Sequence, residues 1–195
     1  MALSYSKIEV EIKEILLKNR PDELYSISPK GTVPVLHLGE DFVIEESLDI
    51  MKWSIEFHDP NNWVENDYEK QLSLIYSCDN NFKYWLDRYK YSDRYPDYDI
   101  NYYRLKCNVF LDKLEKLLEK NNYFYSNQIL LCDIAIFPFI RQFAHVDQNW
   151  FNEKYKNLSV WLNDFLESKI FKSVMYKYLV YKNDQEPLIT NFNNI

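Results

Sequence analysis

The chain has 195 residues, 47% of them hydrophobic, and a formal net charge of -7. That is enough for one large domain or two small ones with a proper core. The acidic balance, with no basic run longer than two residues, argues against a nucleic-acid surface. The longest apolar stretch, Ile134-Ala135-Ile136-Phe137-Pro138-Phe139-Ile140, falls far short of a membrane span.

In chain order, residues 1–7 read as the end of a helix, and Ile8-Glu9-Val10-Glu11-Ile12 alternates as a strand. Pro21, Pro29 and Gly39-Glu40-Asp41 mark turns. Val33-Pro34-Val35 sets a proline at the start of an apolar β-run, where it suits an edge or a bend held by a cis bond. Phe42-Val43-Ile44 is the next strand, and it leads into a helix from Leu48 with Ser47 at the junction. A serine capping a helix beside free backbone N–H groups makes a small anion-binding corner. Asp59-Pro60-Asn61-Asn62 is the clearest linker, and beyond it the sequence predicts helices only. Helical spacing runs over residues 67–91, 99–120, 158–168 and 170–178. Residues 133–146 are apolar nearly all round and predict a central buried helix that tolerates Pro138.

Cys78, Cys107 and Cys132 share no CxxC or metal-ligand spacing, and they read as buried thiols of a reducing, cytoplasmic protein. No metal site is expected. His37, His58 and His145 are scattered, without an HExxH or a Ser-His-Asp pattern. Two glycines in the whole chain exclude a Walker loop and a dinucleotide fingerprint. The aromatic stretch from Tyr89 to Tyr103 reads as packing, not as a stacking site.

Three pieces stand in a specific order: Leu17-Lys18-Asn19-Arg20-Pro21, then Ser28-Pro29-Lys30-Gly31-Thr32-Val33-Pro34-Val35-Leu36, then a strand ending in Glu45-Glu46-Ser47 before a helix. Together they resemble the glutathione-binding half of the glutathione S-transferase family, of an omega or beta-like bacterial type. A serine at a helix start is ordinarily a cap, and an acid beside it is an ordinary first-turn residue; the joint occurrence carries the resemblance. The run from Asp133 to Phe143 is similar to the family's sixth helix, except that Leu130 stands where a Ser/Thr would complete its capping box.

The resemblance implies a thioredoxin-like α/β domain over residues 1–60 followed by an all-helical domain over 67–195. It implies glutathione as co-substrate, held by Arg20, Val33, Glu46 and Ser47. Val33 would pair its backbone with the cysteinyl residue. Glu46 would take the γ-glutamyl ammonium, and Ser47 with its helix N-terminus the carboxylate. It also implies a homodimer, a detoxifying transferase acting on electrophilic or disulfide substrates, and an apolar cleft wall from the helical domain.

The N-terminal domain is expected to be incomplete. The family's first strand, its loop and half a helix, about 15–20 residues at ordinary element lengths, would precede Met1 and carry the group that activates sulfur. A late-assigned start, a degenerate gene and a rearranged fold all account for this, and the intact motif favours the first. The competing readings are a non-catalytic docking or regulatory module and, more weakly, a thiol reductase or isomerase.

Overall fold

The computed structural model describes residues 1–39, 42–65, 67–182 and 185–192, which fall into two compact units. One unit joins Met1–Asn61 to the segment from Lys169, and the other is Asn62–Ser168. The segment after Lys169, counted with the helical domain in the sequence reading, therefore packs with the N-terminal residues.

The first unit holds α1 (Ala2–Tyr5), β1 (Val10–Glu11), α2 (Asp22–Ile27), β2 (Leu36–His37), β3 (Val43–Ile44) and α3 (Ser47–Phe57). Late in the chain it adds α10 (Lys169–Val174) and β4 (Ile189–Thr190). The N-terminal helix end, the strands around Val10 and Val43 and the helix after Glu46 lie where the sequence predicts them, although each strand is only two residues long. Helix α2 is an addition. It opens after Pro21 with Asp22 and Glu23 in its first turn, a favourable charge placement, but it buries no residue and so leaves no apolar stripe to read.

Strand β4 corrects the expectation of helices alone beyond residue 62. It runs antiparallel to β1, with Val10 opposite Thr190 and Glu11 opposite Ile189. The Ile12 N–H donates to the Leu188 carbonyl at 2.9 Å, and the Tyr181 N–H to the Glu14 carbonyl at 2.8 Å. The tail thus satisfies backbone groups along residues 10–14 that would otherwise need another partner. Helix α10 ends at Val174 rather than near residue 178 because the chain is drawn into this extended run.

The second sheet is the hairpin of β2 and β3, pairing Leu36 with Ile44 and His37 with Val43. The Leu38 N–H closes on the Phe42 carbonyl at 3.0 Å. Gly39 takes φ +91°, as the predicted turn requires, whereas Glu40 and Asp41 lie outside the described residues.

The second unit is helical: α4 (Tyr68–Ser77), α5 (Lys83–Lys90), α6 (Ile100–Leu117), α7 (Leu131–Val146), α8 (Gln148–Lys154) and α9 (Lys156–Glu167). Helices α4 and α5 form one helical run interrupted by a π-type turn over Cys78–Phe82. Asp99 caps α6, accepting from the Asn101 and Tyr102 N–H groups. Glu115 of α6 caps α9, accepting from the Asn157 N–H at 2.8 Å and the Leu158 N–H at 2.9 Å. The short α8, whose start is capped by Asp147, was not visible as a separate period.

Helix α7 is the predicted core. It packs against α4, α5, α8 and α9 and continues through Pro138. A helix start this buried must satisfy its free N–H groups inside the protein. Leu131 N–H donates to the Trp63 carbonyl, Cys132 N–H to the Gln71 side-chain oxygen and Leu130 N–H to the Asp133 carboxylate. Leu130 has no side chain to return the last bond, so the capping box is half present, as the sequence implies. Asp133 also accepts from the Phe124 N–H at 3.1 Å, the Trp161 indole N–H at 3.0 Å and, more weakly, the Cys132 thiol at 3.9 Å.

The aromatic abundance is spent on packing. Phe124 stacks on Trp161 at 4.8 Å between ring centroids, Phe137 lies 4.9 Å from Phe165, and Tyr89 lies 4.8 Å from Phe143. Tyr98 and Tyr102 stack at 4.0 Å, and Tyr103 is buried. All three cysteines are free and buried, and burial pushes their thiols well above the ordinary range. They are therefore poor nucleophiles.

Candidate functional site

The turn Ser28-Pro29-Lys30-Gly31 is closed by the Gly31 N–H donating to the Ser28 carbonyl at 2.8 Å. Proline suits its second position because its φ is already set. Gly31 follows at φ +59°, and a Cβ there would run into the ring of Tyr25. Gly31→Ala is therefore expected to cost about 1–2 kcal/mol, mostly left-handed strain, since the half-exposed Tyr25 ring can swing aside. Equilibrium urea unfolding of the two proteins checks it, and equal midpoints would contradict the strain.

Past this turn the peptide bond between Val33 and Pro34 is cis, one of the two arrangements that a proline at the start of this run suits. Val33 lies three residues before Leu36, and Ser47 three residues after Ile44. Because Leu36 and Ile44 are partners in the hairpin, both segments leave it at the same end. Side chains fasten that end. The buried Ser28 hydroxyl donates to Glu45, and the Lys30 ammonium lies 3.5 Å from Glu45 and 3.6 Å from Glu46. The Ser28 bond, followed by the Lys30 charge, holds the Glu45 carboxyl below its usual range.

Glu46, with extended backbone, is the N-cap of α3, and Ser47 is its first helical residue. This shifts the sequence assignment by one place: Ser47 does not cap the helix and no side-chain cap bond forms. The first intrahelical bond runs from the Ile50 N–H to the Glu46 carbonyl at 3.0 Å. The N–H groups of Ser47, Leu48 and Asp49 consequently have no intrahelical acceptor and carry the positive end of the helix dipole. Glu46 and Ser47 are both exposed.

Arg20 is exposed in the segment that joins a tight turn, Asn19 N–H to the Leu16 carbonyl at 2.9 Å, to Pro21 before α2. Among the described residues no ion pair ties it to Glu46. The structure thus brings Glu46 and Ser47 to the end of the hairpin from which Val33 departs, and leaves Arg20 on its own loop. Ser28, Lys30 and Glu45, none of them among the residues the resemblance implies, belong to the same corner. The only signal for them was membership in the motif.

The hydroxyls near the N-terminus serve packing. Tyr5 donates to Asp59 and accepts from the Asn61 N–H at 2.7 Å, which fastens α1 to the linker. Ser4 pairs with Ser173 at 3.2 Å, and Ser6 is buried. Among the described residues no group of three or more His, Cys, Asp or Glu could hold a metal ion, and no helix is long and apolar enough to cross a membrane.

A thioredoxin-like unit followed by a helical one, with a cis-proline segment beside a helix start, defines a class. The glutathione S-transferase N-terminal domain profile matches residues 1–56, and the C-terminal domain profile residues 101–169. The chain belongs to the glutathione S-transferase family. Glutathione S-transferase omega-1 of Sus scrofa is 23% identical over 166 residues, covering 83% of this chain and 68% of that protein. In fold, the chain is similar to a class Gtt2 glutathione S-transferase of Vibrio parahaemolyticus, with TM-score 0.69 and 19% identity over 88% of this chain and 90% of that one. A glutathione transferase from Phanerochaete chrysosporium, solved with oxidized glutathione, gives TM-score 0.66 and 20% identity over 78% of this chain and 75% of that one.

Proposed function

We propose that the corner at the end of the hairpin binds glutathione by its γ-glutamyl end and supports a transferase or disulfide-reducing reaction. Glu46 takes the ammonium. The Ser47 hydroxyl and the open N–H groups at the start of α3 take the α-carboxylate, a charge-assisted arrangement. Val33 pairs its backbone with the cysteinyl residue as an added strand would, and Arg20 reaches the peptide from its loop. The observation that carries the reading is the joining of the two motif pieces through Ser28, Lys30, Glu45 and Glu46 at one end of the hairpin.

With the tripeptide so oriented, the chemistry belongs to its sulfur. As thiolate it forms a bond to an electrophilic carbon while the leaving group departs with its electron pair. With a disulfide it forms a mixed disulfide and releases the other sulfur as thiolate. Fixing the peptide lowers the barrier by orientation. A homodimer in the cytoplasm, detoxifying such compounds, is the setting that family membership suggests.

One observation favours a second reading, a docking or regulatory module without turnover: the Ser4 and Tyr5 hydroxyls are engaged and Ser6 is buried, so none is offered to a sulfur. Calorimetry with glutathione separates site from scaffold. Glu46→Ala and Ser47→Ala are each expected to weaken binding by about 1–3 kcal/mol. Unchanged affinity in both, or no binding by the parent, removes the site. Turnover of a chloronitroarene and of a small disulfide then decides between enzyme and module.

A further inference from the structure

Lys30 stands at the tip of the Ser28–Gly31 turn with its ammonium between two carboxylates, Glu45 and Glu46. The two carboxylates differ. Glu45 is the less exposed, its side chain at 27%, and the buried Ser28 hydroxyl holds its other oxygen. Glu46 is open to solvent at 70%, and within this cluster only Lys30 reaches it. Resting on the glutathione reading above, we propose that the Lys30 ammonium is a resident counter-ion on Glu46 that the incoming γ-glutamyl ammonium must displace. Two ammonium groups on one exposed carboxylate repel each other, and that repulsion favours departure of the resident one. Glu45 makes that departure inexpensive, because Lys30 keeps its partner there while surrendering Glu46. Lys30 therefore lowers affinity for ligands carrying the α-ammonium and leaves affinity for ligands lacking it nearly untouched.

The test is calorimetry of the parent, Lys30→Gln, Glu46→Gln and the double variant. The probes are glutathione and its deamino analogue, glutaryl-cysteinylglycine. An exposed pair of this kind corresponds to a change of about two- to fivefold. Lys30→Gln is expected to bind glutathione tighter by that factor and the analogue with unchanged affinity, and the gain should vanish in the Glu46→Gln background. Lys30 is itself exposed, and Lys30→Met serves as a second variant should the first unfold. If Glu46→Gln weakens glutathione binding but Lys30→Gln gives no gain, the glutathione reading stands and the displacement does not. Weaker binding of both probes by Lys30→Gln makes the lysine a ligand donor and overturns the proposal. If neither the parent nor Lys30→Gln binds either probe, both readings fall.

Discussion

Asp133→Ala is expected to lower the stability of the helical unit by about 4 kcal/mol. The carboxylate is fully buried and accepts from three buried N–H donors, the Leu130 and Phe124 amides and the Trp161 indole, with the Cys132 thiol a longer fourth at 3.9 Å. Alanine strands all three, at about 1–3 kcal/mol for each unpaired buried donor, less what the site recovers by settling. Asp133→Asn is the sharper variant. Its amide oxygen can keep Phe124 and Trp161, which share Oδ1, but its NH₂ then faces the Leu130 N–H, donor against donor. A loss of about 2 kcal/mol is expected at neutral pH. Urea unfolding followed through tryptophan fluorescence measures it.

The same residue gives the comparison a pH signature. Burial raises the Asp133 carboxyl from 3.8 to about 6 against the opposing pull of its donors. Between those values the folded protein holds a proton that the unfolded chain has released. Stability from this group therefore falls as pH rises, levelling above about 6. The interval corresponds to about 3 kcal/mol in all. Asparagine does not titrate, and a protonated carboxyl oxygen can still accept the Leu130 N–H where the amide nitrogen cannot. The Asp133→Asn penalty is thus expected to grow as pH is lowered from 7.5 to 4.5. A penalty that shrinks over that range would mean the native carboxylate is held charged by its donors.

These features divide by how local their causes are. Helix α7 was legible because an all-round apolar stretch can only be central, and α6 because its stripe follows an aspartate cap. The corner around Glu46 and Val33 was legible through the order of its motif. What the motif could not give was one residue of register at the start of α3, where Glu46 and not Ser47 stands at the N-cap. Nor could it give the pairing of Lys30 with both acids, which depends on the turn closed by Gly31. Helices α2 and α8, six and seven residues long, are too short to display a period. Strand β4 is further from reach: two residues with a partner near the opposite end of the chain leave no local pattern at all.

That strand carries the second large effect. Truncation after Val174, which keeps α10 against α1, is expected to destabilise the N-terminal unit by about 3 kcal/mol and leave the helical unit unchanged. The tail is mostly exposed, with Leu179 at 82%, so its apolar burial contributes little, and ordering it costs entropy that deletion returns. Its hold lies in the backbone: the ladder to Val10 and Glu11, the bond from Ile12, the bond to Glu14, and the buried Thr190. Each hydrogen bond contributes about 1 kcal/mol net, since water takes up the groups that truncation bares. Hydrogen exchange read by mass spectrometry places the loss: the Val10 and Ile12 amides should lose protection while those of α7 keep it. The bared edge of β1 also becomes a template for pairing with another chain, so the truncated protein should self-associate with rising concentration in analytical ultracentrifugation. Unaltered protection at Val10 and Ile12 would mean that β1 is held by its own helices and that the tail merely lies upon it.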